Sequence, residues 1–102
     1  MKLSVIIITK NEASNIRDCL DSVKFANQWI IVDSGSTDGT QRIARSFGAT
    51  VIETSDWPGF GPQKNRALDA AEGEWVLSLD ADERISDALR DEIGRASCRE
   101  RV

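Results

Sequence analysis

The chain has 102 residues, 40% of them hydrophobic and 29% charged, with a formal net charge of −4 and no histidine. That is the size and balance of one small globular domain, with no run near the roughly 18 apolar residues a membrane span needs. An acidic balance argues against non-specific nucleic-acid binding, and the lack of histidine removes Ser-His-Asp and Cys-His catalysis and histidine-containing zinc sites.

Residues 3–8, Leu-Ser-Val-Ile-Ile-Ile, read as a first strand. The lysine before them mimics a secretory signal, but the apolar run is too short and residues 9–12 lack a small-residue cleavage pattern. Ile16, Cys19, Leu20 and Val23 fall at helical spacing over 13–24, which makes Cys19 a core residue. A second strand over 29–32 leads to Asp33-Ser34-Gly35-Ser36-Thr37-Asp38-Gly39-Thr40, then to a helix carrying Ile43, Ala44 and Phe47 that stops at Gly48. A short third strand, 51–53, precedes the Trp57-Pro58-Gly59-Phe60-Gly61-Pro62 loop and a helix over 63–72 ended by Gly73. The fourth strand is 75–79, after which Ser86 caps a further helix with Leu89 and Ile93.

This alternation predicts an α/β fold, a Rossmann-like, mainly parallel sheet with helices on both faces. Ligands bind such sheets beyond the carboxyl ends of the strands, where strand order reverses, so the polar clusters after Ile8, Val32 and Leu79 are expected along one edge. The domain is taken as 1–93. Segment 94–102 is basic, poor in apolar residues and aperiodic, and without it the chain carries −6; it reads as a non-native or disordered tail. Cys19 and Cys98 have no C-x-x-C companion, so neither a disulfide framework nor a zinc site is expected, and a reducing cytoplasm fits.

The apolar run 75–79 ends in Asp80-Ala81-Asp82-Glu83. Side chains alternate on an extended chain, so Asp80 and Asp82 point the same way and offer hard oxygens to Mg²⁺ or Mn²⁺, in the kind of site completed by water and phosphate. A solvated acidic turn is the plain alternative. Asp38 suits a helix cap, while Asp33 serves equally as a turn residue or as an acceptor for a base or ribose. Thr9, Asn11 and Glu12, at the end of the first strand, could read a nucleobase edge or simply suit the start of a helix. Lys64 and Arg66 stand at a helix start, where cations oppose the macrodipole; neutralising a diphosphate would explain them, and so would a solvated face. Gly59-Phe60-Gly61 lacks the third glycine of a dinucleotide fingerprint, and no phosphate-binding G-x-x-x-x-G-K-[ST] loop is present.

In order and spacing, Ser4-Val5-Ile6-Ile7-Ile8-Thr9-Lys10-Asn11-Glu12, Ile31 to Thr40, Lys64-Asn65-Arg66-Ala67-Leu68 and Leu79-Asp80-Ala81-Asp82 resemble the amino-terminal, nucleotide-binding half of family 2 inverting glycosyltransferases of the GT-A fold. The resemblance implies a truncated GT-A sheet and a nucleotide-sugar donor, commonly a UDP-sugar. It implies Thr9, Asn11, Glu12 and Asp33 near the uridine, and Lys64 and Arg66 near the diphosphate. Asp80 and Asp82 would form the DxD motif that binds ribose and a divalent metal. It also implies a catalytic base from a later segment, so this chain is expected to bind donor and to transfer sugar poorly or not at all. Asp-Ser-Gly-Ser-Thr-Asp, with Ser34 where many members carry aspartate, resembles the bacterial subgroup acting on lipopolysaccharide core, including β-1,4-glucosyltransferases. The implied acceptor is a glycan or lipid-linked glycan, which would bring the full-length enzyme to the cytoplasmic face of the membrane. Apolar surface normally covered by a second half is expected to promote self-association. Two other classes compete. One is a noncatalytic nucleotide- or metal-binding module; the other is a haloacid-dehalogenase-like phosphohydrolase, whose Asp-x-Asp follows the first strand rather than the fourth.

Overall fold

The computed structural model describes residues 2–86. Strands and helices alternate as β1 (Leu3–Thr9), α1 (Ala13–Ser22), β2 (Gln28–Asp33), α2 (Thr40–Phe47), β3 (Thr50–Glu53), α3 (Phe60–Ala70) and β4 (Trp75–Asp80). All strand pairs are parallel, in the order β3-β2-β1-β4. The chain steps outward from β1 to β3 and then crosses back to lay β4 against the free side of β1. Strand order therefore reverses between β1 and β4, the point where open α/β sheets hold ligands.

Alternation along the strands sorts the core into two layers. Val5, Ile7, Ile31, Trp75, Leu77 and Leu79 pack with Ile16, Cys19, Leu20 and Ala44 of α1 and α2. Ile6, Ile30, Val32 and Val76 pack on the other face with Ala67, and Leu68 and Ala70 lie against that cluster, all three from α3. Helices thus cover both faces, as the alternation requires. Among the described residues no helix is long and apolar enough to cross a membrane.

Three helix boundaries differ from expectation. α1 ends at Ser22 rather than 24, where the Ser22 hydroxyl donates to the Cys19 carbonyl at 2.7 Å and competes with the helical bond. α3 begins at Phe60, three residues early, because Gly59 takes φ 109° and Pro62 falls in the first turn, where its missing N–H is not needed. It ends with extended Ala71, so Gly73 is not its stop. Gly73 instead lets the chain pass close to β1: a Cβ there would lie 2.7 Å from Ser4 Oγ, and its N–H donates to that oxygen at 2.8 Å. The helix expected to carry Leu89 and Ile93, and segment 94–102, lie outside the described residues.

Candidate functional site

The parallel register sets Thr9 beside Asp33 and Ile8 beside Asp80, so the carboxyl ends of β1, β2 and β4 share one edge. The loops after β1 and β2 are laced together above it. Ser36 Oγ accepts from the Asn11 N–H at 2.7 Å, and Asn11 Oδ1 accepts from the Thr37 N–H at 2.8 Å. Asn11 has φ 55°, a left-handed conformation that asparagine tolerates better than most residues. Thr40 Oγ1 accepts from the Glu12 N–H at 3.0 Å. Asp38 accepts from the Ala13 N–H with one oxygen (3.0 Å) and the Thr40 N–H with the other (3.1 Å), serving the starts of α1 and α2 together. The second aspartate of the loop is thus a cap for two helices.

Asp33 is fully buried. One carboxylate oxygen accepts from Thr9 Oγ1 (2.6 Å) and Ser36 Oγ (2.5 Å); the other accepts from the Gly35 and Ser36 N–H groups and Gln41 Nε2. Burial pushes its pKa up, but the bonds from Ser36, Thr9 and Gly35 outweigh that and hold it below the usual carboxylate range. A carboxylate so enclosed shapes the loop, while its neighbour Ser34 is half-buried.

Ser34 lines an open cavity of about 540 Å³ together with Ile8, Thr9, Lys10, Glu12, Ser55, Asp56, Trp57 and Phe60. Lys10 Nζ donates to the Ser34 and Gly35 carbonyls at 3.2 and 3.1 Å, and Glu12 accepts from Asn15 Nδ2 at 3.0 Å. Of the residues singled out for a nucleoside, Thr9 and Glu12 reach the cavity, whereas Asn11 and Asp33 build its loops.

Because α3 starts at Phe60, Lys64 lies a full turn in and Arg66 at mid-helix, so the opposition to the macrodipole that set them apart in the sequence largely lapses. Arg66 holds Asp56 through two bonds of 3.0 Å and donates to Gln63 Oε1 at 2.6 Å. It touches the cavity only through Asp56. Lys64 is half-buried and forms no ion pair among the described residues. Gln63, with no sequence signal beyond its place in a helix, is wholly buried, and its amide nitrogen lies 3.1 Å from Thr54 Oγ1 and 3.4 Å from Ser34 Oγ.

At the end of β4, Asp80 and Asp82 are exposed and Ala81 between them is buried, as alternation predicts. A turn follows: the Glu83 N–H donates to the Asp80 carbonyl at 2.9 Å, and Glu83 Oε1 accepts from the Asp80 N–H at 2.8 Å. Glu83 is thereby committed to the turn, while the carboxylates of Asp80 and Asp82 accept no hydrogen bond among the described residues. Among the described residues no cluster of three or more potential ligand side chains exists there. Two exposed hard oxygen donors fit Mg²⁺ or Mn²⁺, which keep water and phosphate as their other ligands. Cys19, whose thiol points to the Asp80 carbonyl at 3.6 Å, is pushed up to about 12 by burial and offers no nucleophile.

A model of Glycosyl transferase family 2 matches residues 4–95. The chain belongs to this family. A Rickettsia bellii protein named as an uncharacterized glycosyltransferase is 47% identical over 93 residues, covering 90% of this chain and 31% of that protein. The lipopolysaccharide core biosynthesis glycosyltransferase LpsC of Rhizobium meliloti is 37% identical over 95 residues, covering 89% and 35%. Among solved structures, mannosyl-3-phosphoglycerate synthase from Rubrobacter xylanophilus superposes with a TM-score of 0.73 at 29% identity, covering 84% of this chain and 32% of that one. Glucosyl-3-phosphoglycerate synthase from Mycobacterium tuberculosis, in complex with Mn²⁺, UDP and glucosyl-3-phosphoglycerate, gives 0.69 at 28% identity, covering 81% and 35%. The chain spans about a third of the length of these relatives.

The Asp80-Ala81-Asp82 segment follows β4, across the switch point from β1. The haloacid-dehalogenase reading, which needs the pair after β1, is set aside by the same topology.

Proposed function

We propose that this chain is the donor-binding part of a metal-dependent hexosyltransferase that takes a sugar from a nucleotide-sugar, UDP-glucose or a similar UDP-sugar, and passes it with inversion to a glycan or lipopolysaccharide-core acceptor. The observation that carries the reading is the cavity over the ends of β1 and β2, lying one strand away from the exposed Asp80–Asp82 pair across the switch point. A nucleoside fits the first place and a diphosphate would extend toward the second. Relatives named for glycosyl transfer, and a neighbour solved with UDP and Mn²⁺, support the same assignment.

In this reading Thr9 and Glu12 face the nucleoside, while Asn11 and Asp33 fix the loops that hold it. Lys64 accompanies the diphosphate; Arg66 braces the cavity wall. Asp80 and Asp82 would hold Mg²⁺ or Mn²⁺, which supplies Lewis-acid stabilisation of charge on the departing diphosphate. The base that deprotonates the acceptor hydroxyl comes from outside these 102 residues. We place the enzyme in the cytoplasm, at the membrane face where its acceptor is lipid-linked.

Calorimetric titration of UDP, with and without Mn²⁺, into the parent chain and an Asp80→Asn/Asp82→Asn variant tests this. Metal-dependent binding that disappears in the variant, with circular dichroism unchanged, is expected. Metal-independent binding of equal strength in both would remove the two aspartates from the donor site.

A further inference from the structure

The donor-site reading leaves one feature of the cavity unused, its aromatic wall. Three large hydrophobic side chains are exposed among the described residues: Phe25 at 37%, Trp57 at 50% and Phe60 at 64%. Two of them, Trp57 and Phe60, line the same cavity. Their rings meet edge to face, with centroids 4.9 Å apart and planes at 87°, an arrangement that fixes both orientations. The loop that carries Trp57 is held at several points. The Thr54 N–H donates to the Asp33 carbonyl at 2.8 Å, Arg66 grips Asp56, and Gly59 turns at φ 109° into α3. Rigid aromatic surface kept out of the core and set against a cavity marks a place for a ligand.

The charges of the cavity say which part of a ligand belongs there. Its ionisable lining is Lys10, Glu12 and Asp56. Lys10 is spent on two backbone carbonyls and Asp56 on Arg66, so among the described residues of the lining no free cation remains to receive a phosphate. A flat, uncharged group suits these walls, and a phosphate does not.

We infer that Trp57 and Phe60 form the stacking wall for the nucleobase of the donor. The inference rests on the donor-site reading and adds to it the residues that hold the base. Stacking is tolerant of base identity, so the wall supplies affinity, while Thr9, Glu12 and Ser34 are left to read the polar edge.

Tryptophan emission tests this in the parent chain. Trp75 is 2% exposed and Trp29 donates to the Val23 carbonyl away from the cavity, which leaves Trp57 as the reporter. UDP and uridine are expected to quench its emission, and inorganic pyrophosphate with Mn²⁺ is not. By calorimetry, Trp57→Leu should bind UDP roughly 5- to 150-fold more weakly, the range that loss of one base-stacking contact implies, and Trp57→Phe should bind close to the parent. Both substitutions are at an exposed position, and circular dichroism checks the fold. Equal UDP affinity in Trp57→Leu, with no emission change on binding to the parent, overturns the wall while leaving the donor site standing. A parent chain that binds no UDP removes both.

Discussion

Arg66 closes on Asp56 with one bond to each carboxylate oxygen, both 3.0 Å, a bidentate pairing that fixes angle as well as distance. The same guanidinium donates to buried Gln63, whose amide nitrogen lies within reach of Thr54 and Ser34. A cation expected beside a diphosphate thus spends its bonds on the polypeptide, joining α3 to the loop that carries Trp57.

The pair is exposed, so its removal should leave global stability nearly untouched. Asp56→Asn is expected to keep the parent's thermal midpoint but to bind UDP more weakly, because the Trp57 loop loses its brace. Tighter binding in Asp56→Asn would mean instead that Arg66 serves the diphosphate and that Asp56 competes for it. Hydrogen bonds from Arg66 hold Asp56 below the usual carboxylate range. Its contribution is therefore present above the unfolded pKa and lost as the pH falls through the folded one, so the wild-type brace should fail only in acid.

Asp33 gives a larger acid effect, since it is buried and takes five hydrogen bonds. Its folded pKa is lowered, so stability it confers is complete above the unfolded value of about 3.9 and drains away below it. Asp33→Asn would turn an amide N–H toward groups that are themselves donors, at a cost of roughly 2–4 kcal/mol. Urea unfolding at pH 7 measures it, and the gap between variant and parent should narrow below about pH 4. A pH-independent gap would show that shape rather than charge matters at this position.

The sheet was legible because its signals are local: β-branched runs such as Val5 to Ile8, helical spacing at Ile16, Cys19 and Leu20, and Gly48 in the left-handed conformation at the end of α2. The row of Thr9, Asp33 and Asp80 followed from parallel strands sharing an edge. What stayed hidden depends on pairings between residues apart in sequence, 24 positions for Thr9 and Asp33 and 10 for Asp56 and Arg66. Asp33 as a buried loop organiser needs Thr9 beside it, and Arg66 as a brace needs Asp56 across a turn. Gln63 as a buried link and the exposed pair Trp57–Phe60 carry no period or motif, and only burial distinguishes them from neighbours.

Gly73 shows the same limit in its backbone. A Cβ there would sit 2.7 Å from Ser4 Oγ, 2.8 Å from Ser4 N and 3.0 Å from the Lys2 carbonyl, two of the three being backbone atoms in or next to central strand β1 that cannot shift cheaply. Gly73→Ala should therefore destabilise the chain by about 1–3 kcal/mol in urea unfolding, as overpacking does. A Gly73→Ala chain as stable as the parent would show that residues 71–74 can move away from β1.

Glu83 separates the carboxylates that could bind metal from the one that shapes the turn. Its side chain accepts from the Asp80 N–H while its own N–H reaches the Asp80 carbonyl, a reciprocal closure that holds the end of β4 in place. If Asp80 and Asp82 hold the ion and Glu83 only positions them, Glu83→Gln should keep metal-dependent UDP binding close to the parent, because the amide oxygen still accepts the bond. Glu83→Ala should weaken it by roughly tenfold, the effect of losing about one hydrogen bond's worth of preorganisation. Calorimetry at saturating and at limiting Mn²⁺ distinguishes the two roles. A positioning residue shifts affinity at both, whereas a ligand shifts the metal concentration at which binding appears, and a Glu83→Gln variant needing much more Mn²⁺ would make Glu83 a third metal ligand.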